Sequence, residues 1–599
     1  MATRITTTVP RAIGRLPLLA AVWRGVSAHP EIALVLGLTV LGAFLRLWQL
    51  GELPYGFHND EGNVTLDAQR ILSEGWIGPF SKLASGYPIA VNYFVAPFIK
   101  VMGPGTLSVR LPMAVLGIVA IPLAYYTFRL AAGWRMAACA TFLLVTSAWH
   151  LHYSRVGFPV IGWPVVELGA LLSLQLGLRT RRWPFFVVAG VLAGLGIWVY
   201  PSASLFALPM GIFMGAWAII GLVRRRNTAA VRDVLLVGIL GLSMLLGAWP
   251  MISYQRSHQV ETEGRLRGTY IFGSERRARC EKTPEEQRDQ VCKWAVAASF
   301  GEKADVVREK TDLLWDILTT KSAPDGADGL GVKPPVGKLA MYLAVVGFFI
   351  AAIRFRNAAL GISVLAIPFI VAGAVLTIDG QFRRVFGIMP LIALFGGLTL
   401  GLVWEWADKQ GIAVRVAALA LIAATLGTIS VQGLRFYFDE YPDSNAVRFV
   451  FYPELRRASE YIDTLGHPYV YWYNGRAPLG HETRRVLADE IAGGEDRALE
   501  WTKAADNEHL RYDLKPEDQV GFPATRQPDG AVFVFMESYA NDSDDADTVA
   551  RKYPGGVLTG FFNEKLNRWE FRAYYLPGDL LDSYARQESV TYPIQLPQE

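Results

Sequence analysis

"IALVLGLTVLGAFLRLWQL" (Ile32–Leu50) is an apolar run of the length a helix needs to cross a bilayer. Soon after it comes "FHNDEGNVTLDAQRILSEGW" (Phe57–Trp76), which sets His58, Asn59, Asp60 and Glu61 side by side just where such a helix would emerge. From Val64 onward the apolar residues Ala68, Ile71, Leu72 and Trp76 recur at helical spacing, predicting an amphipathic helix along the membrane surface. Capping explains part of the cluster, because Asn59 or Asp60 can accept from free N–H groups and acidic charge suits a helix N-terminus. It does not explain two acids and a histidine at the mouth of a span, where carboxylates are costly and tend to be functional. Asp60 and Glu61 are therefore candidate catalytic residues, and His58 a candidate substrate contact. Glu61 and His58 could also share a divalent metal, although one short cluster is a weak metal signal.

Over the whole chain of 599 residues, 52% are hydrophobic and 19% charged, with mean hydropathy +0.25, a composition of repeated membrane spans rather than of a soluble enzyme. Further runs fit Leu111–Leu130, Met136–Trp149, Val160–Leu178, Pro184–Tyr200, Leu205–Val223, Val234–Trp249, Leu339–Ile353, Ala358–Leu376, Val385–Val403 and Val414–Val431. The expectation is a polytopic α-helical membrane protein of about eleven spans. A polar insert interrupts them at 253–337, and a tail at 435–599 has the composition of a soluble domain. In that tail "PYVYWY" (Pro468–Tyr473), "AVFVFM" (Ala531–Met536), "VLTGFF" (Val557–Phe562) and "WEFRAYYL" (Trp569–Leu576) read as strands among helical patterns, hence an α/β domain.

Alternate loops are basic: Arg129 and Arg135; Arg179, Arg181 and Arg182; Arg224, Arg225, Arg226 and Arg232; Arg354 and Arg356; Lys409 and Arg415. Basic residues resist translocation, so these loops and a basic leader at 1–30 are expected in the cytoplasm. The first loop (51–107), the insert and the tail then fall on the extracytoplasmic side of a plasma or inner membrane. A net charge of +4 gives no reason to expect a nucleic-acid partner. Cys280 and Cys292 lie together in the insert, where a disulfide or two free thiols would fit.

Arginines on the extracytoplasmic side are exceptions to this charge rule. Arg110 in "SVRLP", Arg155 in "HLHYSRVGFP", and Arg383 with Arg384 in "GQFRRVFGIMP" all fall at outer span ends. Their guanidinium forks suit phosphate oxygens, so they are candidate phosphate ligands opposite the acids, with interfacial snorkelling as the plainer alternative. Tyr87, Tyr93, His152, Tyr153 and Tyr200 lie at the same level and are candidate substrate contacts, although interfacial belts alone enrich tyrosine there. No P-loop, HExxH, zinc spacing or GxSxG elbow occurs, so ATP-driven transport, zinc proteolysis and serine hydrolysis have no motif support.

At these residues the chain resembles the GT-C membrane glycosyltransferases, in the ArnT-like and protein O-mannosyltransferase branch known as glycosyltransferase family 39. The likeness runs in order through "HNDEGNVTLDAQRILSEGW", "SVRLPMAVLGIVAIPLAYY" (Ser108–Tyr126), "HYSRVGFPVIGWP" (His152–Pro164), "GLGIWVYPSASLFALP" (Gly194–Pro209) and "RRVFGIMPLIALFGGL" (Arg383–Leu398). It covers most of 31–433 and implies a GT-C catalytic domain at 31–434 with an extracytoplasmic α/β domain. It also implies transfer of a sugar from a polyprenyl-phosphate donor to a lipid, glycan or protein acceptor, by inverting displacement with Asp60 as base. A flippase for lipid-linked sugars and a lipid-linked oligosaccharide ligase are the alternatives. Many relatives carry an acid after the "SR" pair, or a lysine before the second span. Here Val156–Val165 has no acid and "GYPIAVNYF" offers Tyr87 and Pro88, so those two roles do not transfer.

Overall fold

The computed structural model describes residues 30–587 except 84–85, 226, 260–267, 322–329, 332, 378–381, 474–481, 488–526, 537, 542–543 and 565. The basic leader lies outside the described residues apart from Pro30. Among the described residues eight helices are long and apolar enough to cross a membrane: Pro30–Leu47, Thr106–Ala132, Pro159–Thr180, Pro201–Arg224, Thr228–Ser257, Ala358–Val375, Ile388–Ala407 and Ile412–Glu440. Three shorter apolar helices, Trp134–Thr146, Trp183–Val199 and Lys338–Ile353, occupy the remaining predicted spans. The chain is thus a polytopic helical membrane protein with a C-terminal sheet domain.

One span is shorter than expected. The helix Trp134–Thr146 stops before Trp149 because the Ser147 hydroxyl accepts from the His150 N–H and starts a new helix, Ala148–Arg155. Every residue of that second helix is buried. Elsewhere glycines set the helix spacing: a Cβ on Gly194 would lie 2.0 Å from the Met244 carbonyl oxygen, so Trp183–Val199 and Thr228–Ser257 pack backbone to backbone.

In the C-terminal domain the four β-rich runs form one sheet, ordered Tyr469–Tyr473, Ala531–Met536, Arg568–Leu576, Val557–Asn563. The first pair is parallel and the others antiparallel. Helix Pro453–Asp463 covers one face through Leu455, Ala458 and Ile462. Helices Asp545–Lys552 and Gly578–Gln587 cover the other through Ala546, Val549, Leu581 and Ala585. The strand Ala531–Met536 is buried throughout because both faces are covered.

In the insert, Cys280 and Cys292 are joined in a disulfide with Cα atoms 5.1 Å apart. The insert also docks on the bundle: the Ile271 N–H donates to the Leu376 carbonyl at 3.0 Å, and Tyr270 bridges Thr377. The buried Lys310 ammonium donates to the Thr377 carbonyl and lies 4.7 Å from the Trp294 ring. Thr377 stands a few residues before Arg383 in the chain, so Lys310 ties down the backbone that leads toward it. Lys310→Met is expected to lower any turnover that depends on Arg383 by roughly tenfold to a hundredfold, the usual cost of misplacing a group by an ångström. Steady-state rates set beside a thermal unfolding curve check this; a lowered unfolding temperature with an unchanged rate would give Lys310 a purely structural role.

Candidate functional site

The surface helix runs Asn59–Glu74 with His58 as its N-cap, and Asn59 Oδ1 also accepts from the Asp60 N–H at 3.0 Å, as expected of it. The Asp60 N–H donates to His58 Nδ1 at 2.9 Å, and the His58 N–H donates to Glu61 Oε2 at 2.9 Å, a reciprocal capping box built from His58 and Glu61. Capping therefore leaves the Asp60 carboxylate to another use. It pairs with Arg383, and the two side chains keep 27% and 20% of their surface exposed.

Glu61, its neighbour, has no exposed surface. Oε1 accepts from Arg110 Nε at 2.8 Å and from the Gly157 N–H at 2.8 Å, while Oε2 accepts from Arg110 Nη2 at 3.0 Å as well as from His58. Burial pushes this carboxyl up, but the Arg110 charge and the bonds from Arg110, His58 and Gly157 outweigh it and hold it below the ordinary carboxylate value. With both oxygens doubly engaged, Glu61 has the geometry of a structural pin rather than of a proton acceptor or metal ligand, a departure from the sequence expectation. Among the described residues no three His, Cys, Asp or Glu side chains converge. With both Glu61 oxygens taken up by Arg110, Gly157 and His58, Glu61 and His58 are not arranged to share a divalent ion.

Two arginines expected to bind phosphate are engaged in the same way. Arg110 is fully buried and also donates to the Pro54 carbonyl at 2.8 Å and the Gly56 carbonyl at 3.0 Å. Arg155 is fully buried and donates to the carbonyls of Leu45 and Arg46 at 3.0 Å and of Gln49 and Leu53 at 3.2 Å. It thereby satisfies the open carbonyls at the end of the first helix. Both side chains lie among backbone carbonyls rather than open to a ligand. The short turn Phe382–Val385 presents the other two: Arg383 lies 4.8 Å from the Phe158 ring, and Arg384 is half-buried beside it.

Of the expected aromatic contacts, Tyr87 is bonded to Asp67, an acid farther along the surface helix. Its O–H donates to Asp67 Oδ2 at 2.7 Å, and Asn92 Nδ2 reaches both Asp67 Oδ2 at 3.3 Å and the Tyr87 oxygen at 3.2 Å. Burial raises the Tyr87 phenol well above its ordinary value, with Asp67 and then Asp60 adding to the rise. Burial likewise raises Asp67 despite bonds from Tyr87, Ser81 and Asn92. Tyr93 instead ties down a loop, donating to the Gly78 carbonyl at 2.7 Å and stacking on Trp76 at 5.1 Å. His152 and Tyr153 are buried in ring packing, with centroids 5.4 Å from Tyr441 and 4.6 Å from Phe386 respectively. Tyr200 stacks on Trp163 at 6.1 Å.

Two members of the site's surroundings escaped the sequence reading. Asp67 stands seven residues after Asp60, on the same side of the helix, a spacing that could have flagged it. Arg46 is fully buried inside the first span, donating to His150 Nδ1 at 2.7 Å, and the signal was a lone charge in an apolar run.

The C-terminal domain roofs this corner. The Thr483 hydroxyl donates to the Phe57 carbonyl at 3.2 Å, and the Phe57 N–H donates to the Phe451 carbonyl at 2.5 Å. Gly62 is required here, since a Cβ would meet the Glu482 backbone at 2.7 Å. The arrangement is a half-open carboxylate and two arginines at the mouth of a helix bundle, covered by a folded domain. It is suited to accepting a proton beside an anionic group.

Residues 87–250 match the family model described as dolichyl-phosphate-mannose-protein mannosyltransferase. Over that stretch the match agrees with the resemblance to GT-C membrane glycosyltransferases. No curated protein matches the chain by sequence. Among solved structures, the apo oligosaccharyltransferase of Archaeoglobus fulgidus is similar at 14% identity and a TM-score of 0.47, over 77% of this chain and 64% of that one. The chain thus spans under two thirds of that enzyme's length. ArnT from Cupriavidus metallidurans is similar in the apo state at 13% identity and a TM-score of 0.49, over 92% of this chain and 99% of that one. Its complex with undecaprenyl phosphate gives 13% identity and a TM-score of 0.46 over the same shares.

Proposed function

We propose that the protein is a membrane glycosyltransferase that moves a hexose or pentose from a polyprenyl-phosphate donor to a lipid, glycan or protein acceptor. The observation that carries this reading is the division of labour between adjacent acids: Glu61 caps and pins, while Asp60 stays half-open against Arg383. The family match over 87–250 supports the same class of donor. The alternation of basic loops supports a plasma or inner membrane location with a cytoplasmic N-terminus, and chemistry on the opposite face, under the α/β domain.

In this mechanism the donor phosphate engages Arg384 and draws Arg383 from Asp60. Asp60 then accepts the proton of the acceptor hydroxyl as its oxygen bonds to the anomeric carbon. The bond from that carbon to the phosphate oxygen breaks, and polyprenyl phosphate departs with its added negative charge stabilised by the arginines. One displacement inverts the anomeric configuration.

The test is sugar transfer by purified protein in liposomes, with radiolabelled polyprenyl-phosphate hexoses and pentoses offered to lipid, glycan and peptide acceptors. Transfer from one donor, with an inverted product by NMR, is expected. Passage of intact lipid-linked sugar across the bilayer without transfer would instead make the protein a flippase.

A further inference from the structure

A second recess lies apart from the Asp60–Arg383 pair. It is a cavity of about 440 Å³ between helices Trp134–Thr146, Lys338–Ile353, Ile388–Ala407 and Ile412–Arg435. Its inner wall is apolar, with Leu143, Met389, Ile392, Ala393 and Ile429. Its mouth carries Lys333, Lys338 and Arg435 against one carboxylate, Glu440. Lys333 pairs with Glu440, and Arg435 lies 4.0 Å from it. Lys338 has no ion-pair partner among the described residues, so cationic charge at this mouth exceeds what Glu440 balances.

We propose that this slot holds one anionic phospholipid of the surrounding bilayer, with an acyl chain against the apolar wall and its phosphate at Lys338 and Arg435. Two of the wall helices, Ile388–Ala407 and Ile412–Arg435, belong to segments with the length and composition of membrane spans and the other two are shorter apolar helices, so the recess faces lipid rather than bulk water. An apolar slot of this size accommodates hydrocarbon far better than water. Phosphate oxygens suit an ammonium and a guanidinium at the interface. These cations stand at the end of the bundle away from the basic loops, where the charge rule supplies no reason for them. The polyprenyl donor is a poorer occupant. Between slot and transfer centre the rings are packed in series: Phe386 on Tyr153 at 4.6 Å, Tyr153 on Phe158 at 6.1 Å, and Phe158 under Arg383.

Native mass spectrometry of the full chain in neutral detergent, titrated with phosphatidylglycerol or phosphatidylcholine, tests the proposal. One phosphatidylglycerol per chain is expected to bind at roughly fivefold lower concentration or better for each cation engaged, taking about 1 kcal/mol per cation. Lys338→Glu with Arg435→Glu should abolish that preference, and both positions are exposed. Ile429→Trp, which fills the slot, should weaken both lipids. Equal binding of the two lipids, or a preference that survives the charge reversal, overturns the proposal and leaves the cations as interfacial anchors. Displacement of phosphatidylglycerol by undecaprenyl phosphate, one for one, also overturns it, by assigning the slot to the donor's lipid. Sugar transfer is read in a separate assay, so failure here leaves the transferase reading standing.

Discussion

Asp60→Asn is expected to lower sugar transfer by about 10²- to 10⁴-fold, the range that a positioned general base contributes. The substitution keeps the size of the side chain and removes its ability to take a proton. It leaves the helix start intact, because the cap is made by His58 and Glu61 and the Asp60 contribution to it is a backbone N–H. Donor binding, measured separately by retention of radiolabelled polyprenyl-phosphate sugar, should survive, and thermal unfolding should shift little. The loss is therefore expected in turnover rather than in folding or affinity. Asp60→Glu, which restores the carboxylate at a displaced position, should recover part of the rate. A variant Asp60→Asn that turned over like the wild type would remove Asp60 from the mechanism.

Glu61→Gln is expected to do the opposite, costing stability first. It leaves the Arg110 guanidinium buried without a countercharge, and breaking a buried pair in this way typically costs about 3–5 kcal/mol. The pair joins the surface helix, the carbonyls of Pro54 and Gly56, and the Gly157 N–H, so its loss should loosen the whole corner. Arg110→Met alone should be comparably damaging, and the double variant should cost less than the sum because no orphan charge remains. There is a pH signature as well. A carboxyl held below its unfolded value stabilises the fold above that unfolded value, and the contribution is lost as pH falls through the folded one. Wild type should therefore lose stability with acid in a step that Glu61→Gln lacks. Normal stability in Glu61→Gln together with lost transfer would return Glu61 to the chemistry.

These two expectations concern adjacent residues that looked alike in the sequence. In the sequence Asp60 and Glu61 are equally candidate catalytic acids, since composition and position at a helix start apply to each. Their separation comes from the helix itself: successive residues point about 100° apart, so one faced inward to Arg110 and the other outward to Arg383. Those partners lie 49 and 323 residues away in the chain. No local pattern carries such distances. The arginines divide for the same reason, Arg110 and Arg155 bonded to nearby carbonyls and Arg383 and Arg384 carried on a turn near the mouth.

What the sequence determined by itself was whatever depends on neighbours a few residues apart. Runs of apolar residues marked each spanning helix, because the bilayer demands a length that one segment must supply alone. Short runs rich in β-branched and aromatic residues likewise marked the four described strands of the C-terminal sheet. Tertiary structure alone decided which charged groups are buried pins and which are partly exposed, where Arg46 and Asp67 sit, and how the insert holds Thr377 through Lys310. The cause is electrostatic: the role of a charge follows from its desolvation and its partner, and both are set by segments that meet only in the folded chain.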